Sequence, residues 1–117
     1  MNVEPKGVIA NQLRLQKRRL LSGLEIPPDG LPGSLALTHR RCGKPTCHCT
    51  GDKSKGHPVW SLTFMVQGKK RVERIPDEWI ESVRKRVKAG RKFKEAVAEI
   101  FAANAQLLAL WRKERSR

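Results

Sequence analysis

The sequence predicts an α+β fold: a small antiparallel β-sheet of two or three strands, with a basic helix at the N-terminal end and a long helix or helical hairpin at the C-terminal end. Three observations carry that expectation. Apolar residues recur at helical spacing toward both ends of the chain, they alternate with polar ones in the middle, and all three cysteines crowd between two of the alternating segments.

From Pro5 onward, Ile9, Leu13, Leu20 and Leu24 fall at helical intervals. Arg14, Lys17, Arg18 and Arg19 fill much of the remaining circumference, which is the pattern of a basic amphipathic helix. Ser22-Gly23 ends it, and the run Ile26-Pro27-Pro28-Asp29-Gly30-Leu31-Pro32-Gly33 excludes any helical continuation and reads as a linker. Leu35, Leu37 and His39 then alternate with Ala36, Thr38 and Arg40, a short strand feeding into Cys42. Beyond the cysteines, Trp60, Leu62, Phe64 and Val66 occupy every second position. Gln67-Gly68 supplies a turn, and Lys69 to Ile75 returns, so a β-hairpin is expected. The returning strand carries Lys69, Lys70, Arg71 and Arg74 around Val72, which places it at an edge or against a ligand; charge on an edge also discourages stray strand pairing.

Pro76-Asp77-Glu78 suits a helix start, since proline fits the first turn and the carboxylates sit at the positive end of the dipole. Ile80, Val83 and Val87 form one apolar stripe, and Gly90 is expected to break the helix. Phe93, Val97, Ile100, Asn104, Leu107 and Trp111 then repeat at alternating spacings of four and three. That is the seam of a short coiled coil or of an antiparallel helical hairpin. An asparagine at one seam position would fix the register of a two-stranded coil; packing on the chain's own sheet explains the seam equally well. The expected division is a basic helix over residues 1–24, a linker over 25–33, a cysteine-bearing hairpin module over 34–76 and a helical region over 77–117.

With 117 residues and 38% hydrophobic content, the chain suits one compact domain with a modest core, which a local staple would help to fold. Three cysteines cannot pair off within the chain, and no charged-then-apolar leader opens it, so a reducing cytoplasmic compartment is expected rather than a disulfide scaffold. No apolar run is long enough to span a bilayer, and no membrane partner is expected. Lys and Arg number 25 against 11 Asp and Glu, a formal net charge of +14. Surface lysine serves solubility in general, but this single sign and this clustering point to a polyanionic partner.

Cys42, Cys47, Cys49 and His57 fall within sixteen residues, with few bulky apolar neighbours that would mark them as core. Three thiolates and an imidazole are the ligand set of a closed tetrahedral zinc site, which leaves no position for water or substrate and is therefore structural. Gly43 and Pro45 can turn backbone N–H groups toward sulfur, while Arg41 and Lys44 favour the thiolate form. Cys47 and Cys49 need a tight turn at His48 to converge, and Gly51 to Gly56 is long enough to return His57. His48 and His39 are alternative fourth ligands. The spacing, Cys-x4-Cys-x-Cys-x7-His, lacks the paired Cys-x2-Cys knuckles of familiar fingers, so a redox-sensing thiol cluster and three ordinary buried thiols stay open. An iron–sulfur cluster normally takes four cysteines. Three thiolates around one zinc lower the net charge only to about +13.

The segment Arg41-Cys42-Gly43-Lys44-Pro45-Thr46-Cys47-His48-Cys49, followed by Gly56-His57-Pro58 and an aromatic-rich hairpin, resembles a bacterial and archaeal family of small proteins described as a domain of unknown function. That family is marked by R-C-G-K-P-x-C-x-C, then G-H-G-P-Y, then a hairpin and a long helix. This chain reads Gly56-His57-Pro58-Val59-Trp60, so a glycine is missing and the aromatic is displaced, while His57 stays in register. The resemblance spans roughly Gly33 to Leu110 and implies a metal-binding fold and an association with mobile genetic elements, but no activity.

Phosphate contacts are offered by Arg14, Lys17, Arg18 and Arg19, by Arg40, Arg41, Lys44, Lys53 and Lys55 around the cysteines, and by Lys69, Lys70, Arg71 and Arg74. Seven cations from Arg84 to Lys94 add to them, among them Arg84, Lys85, Lys88, Arg91 and Lys92. Each cluster alone reads as easily as a solvated face; their combination favours nucleic acid. The expected function is a non-catalytic, zinc-stapled nucleic-acid-binding protein, an accessory factor in a larger complex of the transposition or recombination kind. Duplex DNA comes first and structured RNA second, because a chain with no Tyr and only three each of Trp and Phe makes a poor stacking platform. A protein-interaction adaptor built on the C-terminal helix, with homodimerisation through it, is the alternative. Asp29, Asp52 and Glu73 form no evident carboxylate pair and no phosphate-cradling glycine loop precedes a helix, so catalysis is not expected.

Overall fold

A computed structural model describes residues 4–40 and 56–115. Helix α1 spans Val8–Ser22, strands β1, β2 and β3 span Ser34–Arg40, His57–Val66 and Lys69–Ile75, and helix α2 spans Ile80–Arg115 behind a 3-10 turn at Asp77–Trp79. The fold is α+β, with one antiparallel sheet in the order β1-β2-β3. The chain divides into two compact units: Met1–Pro28 with Arg91–Arg117, and Asp29–Gly90. Helix α2 contributes residues to both.

In the sheet unit the hairpin is built as its alternation predicts. Gln67 and Gly68 both adopt positive φ, 50° and 79°, as a two-residue primed turn requires to match the right-handed twist of its strands. Strand β2 lies in the centre, which explains its burial: Val59, Ser61 and Leu62 are buried, whereas every residue of β1 except Leu35 is exposed. The β1–β2 register sets Leu35 opposite Leu62, Leu37 opposite Trp60 and Arg40 opposite His57. Gly33 leads into β1 at φ 87°, where a Cβ would collide with the Thr63 carbonyl oxygen of β2.

After the sheet, Pro76 holds an extended conformation and its carbonyl accepts the Trp79 N–H at 3.0 Å, so the chain enters α2 through the short turn. Asp77, Glu78 and Glu81 lie near the positive end of the helix dipole. Ile80 and Val87 are buried and Val83 half-buried, as their spacing predicts.

The expected break at Gly90 does not occur; α2 runs through it without interruption. The glycine answers a packing need instead. Leu31, in the Pro/Gly-rich linker, donates its N–H to the Arg86 carbonyl at 3.0 Å, and a Cβ on Gly90 would lie 2.5 Å from the Leu31 oxygen.

In the helical unit the buried positions differ from the apolar pattern at two points. On α1 the buried residue is Ala10 while Ile9 is 61% exposed, and Leu13, Arg14, Lys17 and Leu20 are half-buried. On α2, Ile100, Ala103 and Leu107 are buried, and Asn104 is exposed. Asn104 therefore lies off the seam, because a straight helix of 3.6 residues per turn drifts from a strict 3.5 repeat and brings the neighbouring alanine inward. The Lys6 N–H donates to Glu114 Oε1 at 2.7 Å, tying the start of the chain to the last turn of α2.

Candidate nucleic-acid interface

Residues directly opposite in an antiparallel pair share a face, and faces alternate along each strand. One face carries Leu35, Leu37 and His39 of β1, Pro58, Trp60, Leu62 and Phe64 of β2, and Lys69, Arg71, Glu73 and Ile75 of β3. Here Arg84 of α2 stands 5.4 Å from the centre of the Trp60 ring and pairs with Glu81 at 2.6 Å, and Arg71 pairs with Glu73 at 3.3 Å. Arg71 and Arg84 are thus engaged with a carboxylate or an aromatic face, while Lys69 is exposed.

The opposite face is different. It carries Ser34, Ala36, Thr38 and Arg40, then His57, Val59, Ser61, Thr63 and Met65, then Lys70, Val72 and Arg74. Arg40, Lys70 and Arg74 are exposed, and no carboxylate shares their side of the three strands. Arg74 lies opposite Ser61, and Thr38 donates its hydroxyl to the Val59 carbonyl at 3.4 Å. Between the cations lie Thr38, Val59, Ser61, Thr63 and Val72, of which Val59 and Ser61 are buried, and Met65 stands opposite Lys70.

The predicted site residues distribute unevenly over this frame. The four cations of β3 split between the two faces, a consequence of the strand's period of two that reading them as one edge cluster overlooked. Arg84, Lys85 and Lys88 are exposed on α2 in the sheet unit, while Arg91 and Lys92 belong to the helical unit. On α1, Arg18 and Arg19 are exposed and Lys17 half-buried. Arg14 is engaged locally, giving hydrogen bonds to the Pro5 carbonyl at 2.5 Å and to Asn11 Oδ1 at 3.3 Å. Cys42, Cys47, Cys49, Arg41, Lys44, Lys53 and Lys55 lie outside the described residues.

His57 is half-buried at the first position of β2, opposite Arg40 at the last position of β1. The two strands thus hold both ends of the segment that bears the cysteines. His39 pairs with Pro58, one step along, and so falls on the other face of the sheet. Among the described residues no three His, Cys, Asp or Glu side chains group as metal ligands, and none of the helices is long and apolar enough to cross a membrane.

The basic surface was legible by composition, but Thr38, Ser61 and Thr63 were not singled out; alternation from His57 onward assigns Ser61 and Thr63 to its face, and alternation back from Arg40 assigns Thr38. The family model described as Domain of unknown function (DUF6788) matches residues 11–85, more than half of the chain. The match takes in most of α1, the whole sheet with the cysteine segment, and the first turns of α2. No curated protein and no solved structure matches.

Proposed function

The chain belongs to the family described as Domain of unknown function (DUF6788), and we propose that it is a non-catalytic nucleic-acid-binding protein whose sheet meets the phosphate backbone and whose cysteine segment is closed by zinc. One observation carries the reading: the strand register places the exposed Arg40, Lys70 and Arg74 on one sheet face, whose strands bring no carboxylate to it. Cations so placed neutralise phosphates and release condensed counterions, which supplies affinity without specifying sequence. Duplex DNA is the favoured polymer and structured RNA the second. The net charge of +14 raises encounter rates with either.

Zinc is supported by the donor set and by where its ends are held. Cys42 follows Arg40 by two residues, about 7 Å of extended chain at most, and Arg40 lies opposite His57. A thiol tethered that closely to the partner of His57 is able to share an ion with the imidazole. His57 is preferred to His39, whose side chain leaves the sheet on the other face. With Cys42, Cys47, Cys49 and His57 bound, the ion has no open coordination position, so its contribution is to fold and not to catalysis. The R-C-G-K-P-x-C-x-C segment and Gly56-His57, the part of G-H-G-P-Y that this chain keeps in register, supply those ligands, and the protein acts in the cytoplasm as an accessory factor of a transposition or recombination complex.

The test is a salt titration of binding to duplex DNA and RNA by mobility shift. For the wild-type chain log K should fall linearly with log salt, and Arg40→Ala/Lys70→Ala/Arg74→Ala should flatten the slope on DNA by about 2 to 3, close to one for each phosphate left unneutralised. An unchanged slope in a folded triple variant would remove the sheet face from the interface.

A further inference from the structure

Helix α2 has a second apolar side that the chain leaves open. In the helical unit, Ala98, Phe101, Ala105 and Leu108 fall at spacings of three and four on the side away from the buried Ile100, Ala103 and Leu107. Phe101 is 66% exposed and Leu108 47%. Lys94 precedes this stripe and Arg112 closes it, both at helical spacing on the same side. Beside Leu108 lies a groove of about 510 Å³ lined by Ala105, Leu108, Ala109, Arg112 and Lys113. Ala109 and Lys113 also line a second groove of about 250 Å³, which reaches Ile9 and Leu13 of α1. Exposed apolar surface gathered in this way, with a large aromatic at one end, marks an interaction site rather than ordinary surface scatter.

The dimensions and charge select the occupant. From Ala98 to Arg112 the stripe runs four turns, about 21 Å, which is the footprint of a helix laid along it. Residues 1–28 and 91–117 hold twelve Lys and Arg against five Asp and Glu. A second copy of this chain would bring the same surplus to the contact and be repelled. We infer that the Phe101–Leu108 side of α2 docks an amphipathic helix of another protein, apolar along one stripe and carboxylate-rich at its margins, with Lys94 and Arg112 meeting those carboxylates. The apolar stripe supplies affinity, and the flanking cations set orientation and choice of partner. This surface stands on exposed apolar residues and not on the sheet's cations, so it is independent of the proposed nucleic-acid binding.

The experiment titrates the full chain by calorimetry with three synthetic peptides of about four helical turns. One has leucines at helical spacing with glutamates beside them, one replaces the glutamates by lysines, and one scrambles the glutamate peptide. The glutamate peptide should bind at least about tenfold more tightly than either control, a difference of about 1.4 kcal/mol. Phe101→Ser/Leu108→Ser should remove that binding, and Arg112→Glu should weaken the glutamate peptide while improving the lysine one. Circular dichroism would check that each variant keeps its helices. Affinity for duplex DNA should be unchanged in Phe101→Ser/Leu108→Ser. Equal binding of the scrambled peptide would overturn the inference. So would sedimentation showing a dimer that Leu108→Ser dissociates, or anionic vesicles bound through the same residues when no peptide binds. Loss of DNA affinity in the double serine variant would reassign the stripe to the nucleic-acid surface and overturn it as well.

Discussion

Replacing Gly90 with alanine tests the packing of the linker on α2, because here helix propensity and local space pull in opposite directions. In an exposed helix interior, Gly→Ala stabilises by about 1 kcal/mol through reduced backbone entropy. At Gly90 the new Cβ would lie 2.5 Å from the Leu31 oxygen, 3.2 Å from its nitrogen and 3.3 Å from its carbonyl carbon. All three are backbone atoms, so no side-chain rotation relieves them. Nor can Leu31 simply retreat, because its N–H is bonded to the Arg86 carbonyl at 3.0 Å. Overpacking of this kind costs about 1–3 kcal/mol, and a weakened hydrogen bond adds about 1 kcal/mol. Against the propensity gain, the net expectation is a loss of about 1–3 kcal/mol, or a melting temperature lower by at least about 4 °C. Urea and thermal unfolding followed by circular dichroism would measure it, with Ala98→Gly, at an exposed α2 position, as the ordinary propensity control. A Gly90→Ala chain as stable as wild type, or more so, would refute the docked-linker account and return the glycine to a chance occurrence.

Four further outcomes are expected. Gln67→Asn should raise stability by about 0.5–1 kcal/mol, since Gln67 holds φ 50° and asparagine tolerates the left-handed region better; denaturant midpoints would show it. Gly33→Ala should cost about 2 kcal/mol or more, from a positive φ of 87° together with the collision at Thr63, and its unfolding midpoint should drop accordingly. Arg84→Ala should change the Trp60 emission environment while costing only about 0.5–1 kcal/mol, the worth of an exposed cation–π contact. Elemental analysis should find one zinc per chain in the wild type and a reduced content in Cys47→Ser; a wild-type chain purified without metal would end the proposal of a zinc staple.

Much of the fold was readable because period two and period 3.6 are strong signals where side chains are large. Trp60, Leu62, Phe64 and Val66 announce β2, Gln67-Gly68 announces the turn, and Ile80, Val83 and Val87 announce the start of α2. What misled was small residues. Ala10 and Ala103 are the buried positions where hydropathy favoured Ile9 and the seam nominated Asn104, since alanine contributes little apolar area and so a weak signal in the sequence. Gly90 misled for a related reason: local propensity reads it as a helix breaker, whereas its cause is a segment some sixty residues earlier in the sequence. The basic character of the chain was plain from composition, and the strand's period of two separates Lys69 and Arg71 from Lys70 and Arg74, but that Arg40 of β1 shares a face with the second pair depends on the register across β2, a tertiary fact.

The exposure of β1 gives the proposed metal a definite mechanical task. From Ala36 to Arg40 every side chain of that strand is exposed, so its far end is held by ladder hydrogen bonds with little apolar burial behind them. The same end must stay closed against residues 41–56, and for an unconstrained segment of that length the length-dependent part of loop closure costs about 2.5 kcal/mol. Pairing on an exposed edge strand offers little to offset that cost, since short sheets without packing are marginal in water. A cation gripped by Cys42, Cys47, Cys49 and His57 would close the segment at its root and make the Arg40–His57 end the firmest part of β1. The same event would hold Arg40 on the sheet face that carries Arg74 and Lys70. Chelation should therefore release amide protection first at Thr38 to Arg40 and at His57, leaving the Gln67-Gly68 hairpin and α2 protected. Hydrogen exchange that loosened α2 before β1 would show that the metal, if bound, serves some other part of the chain.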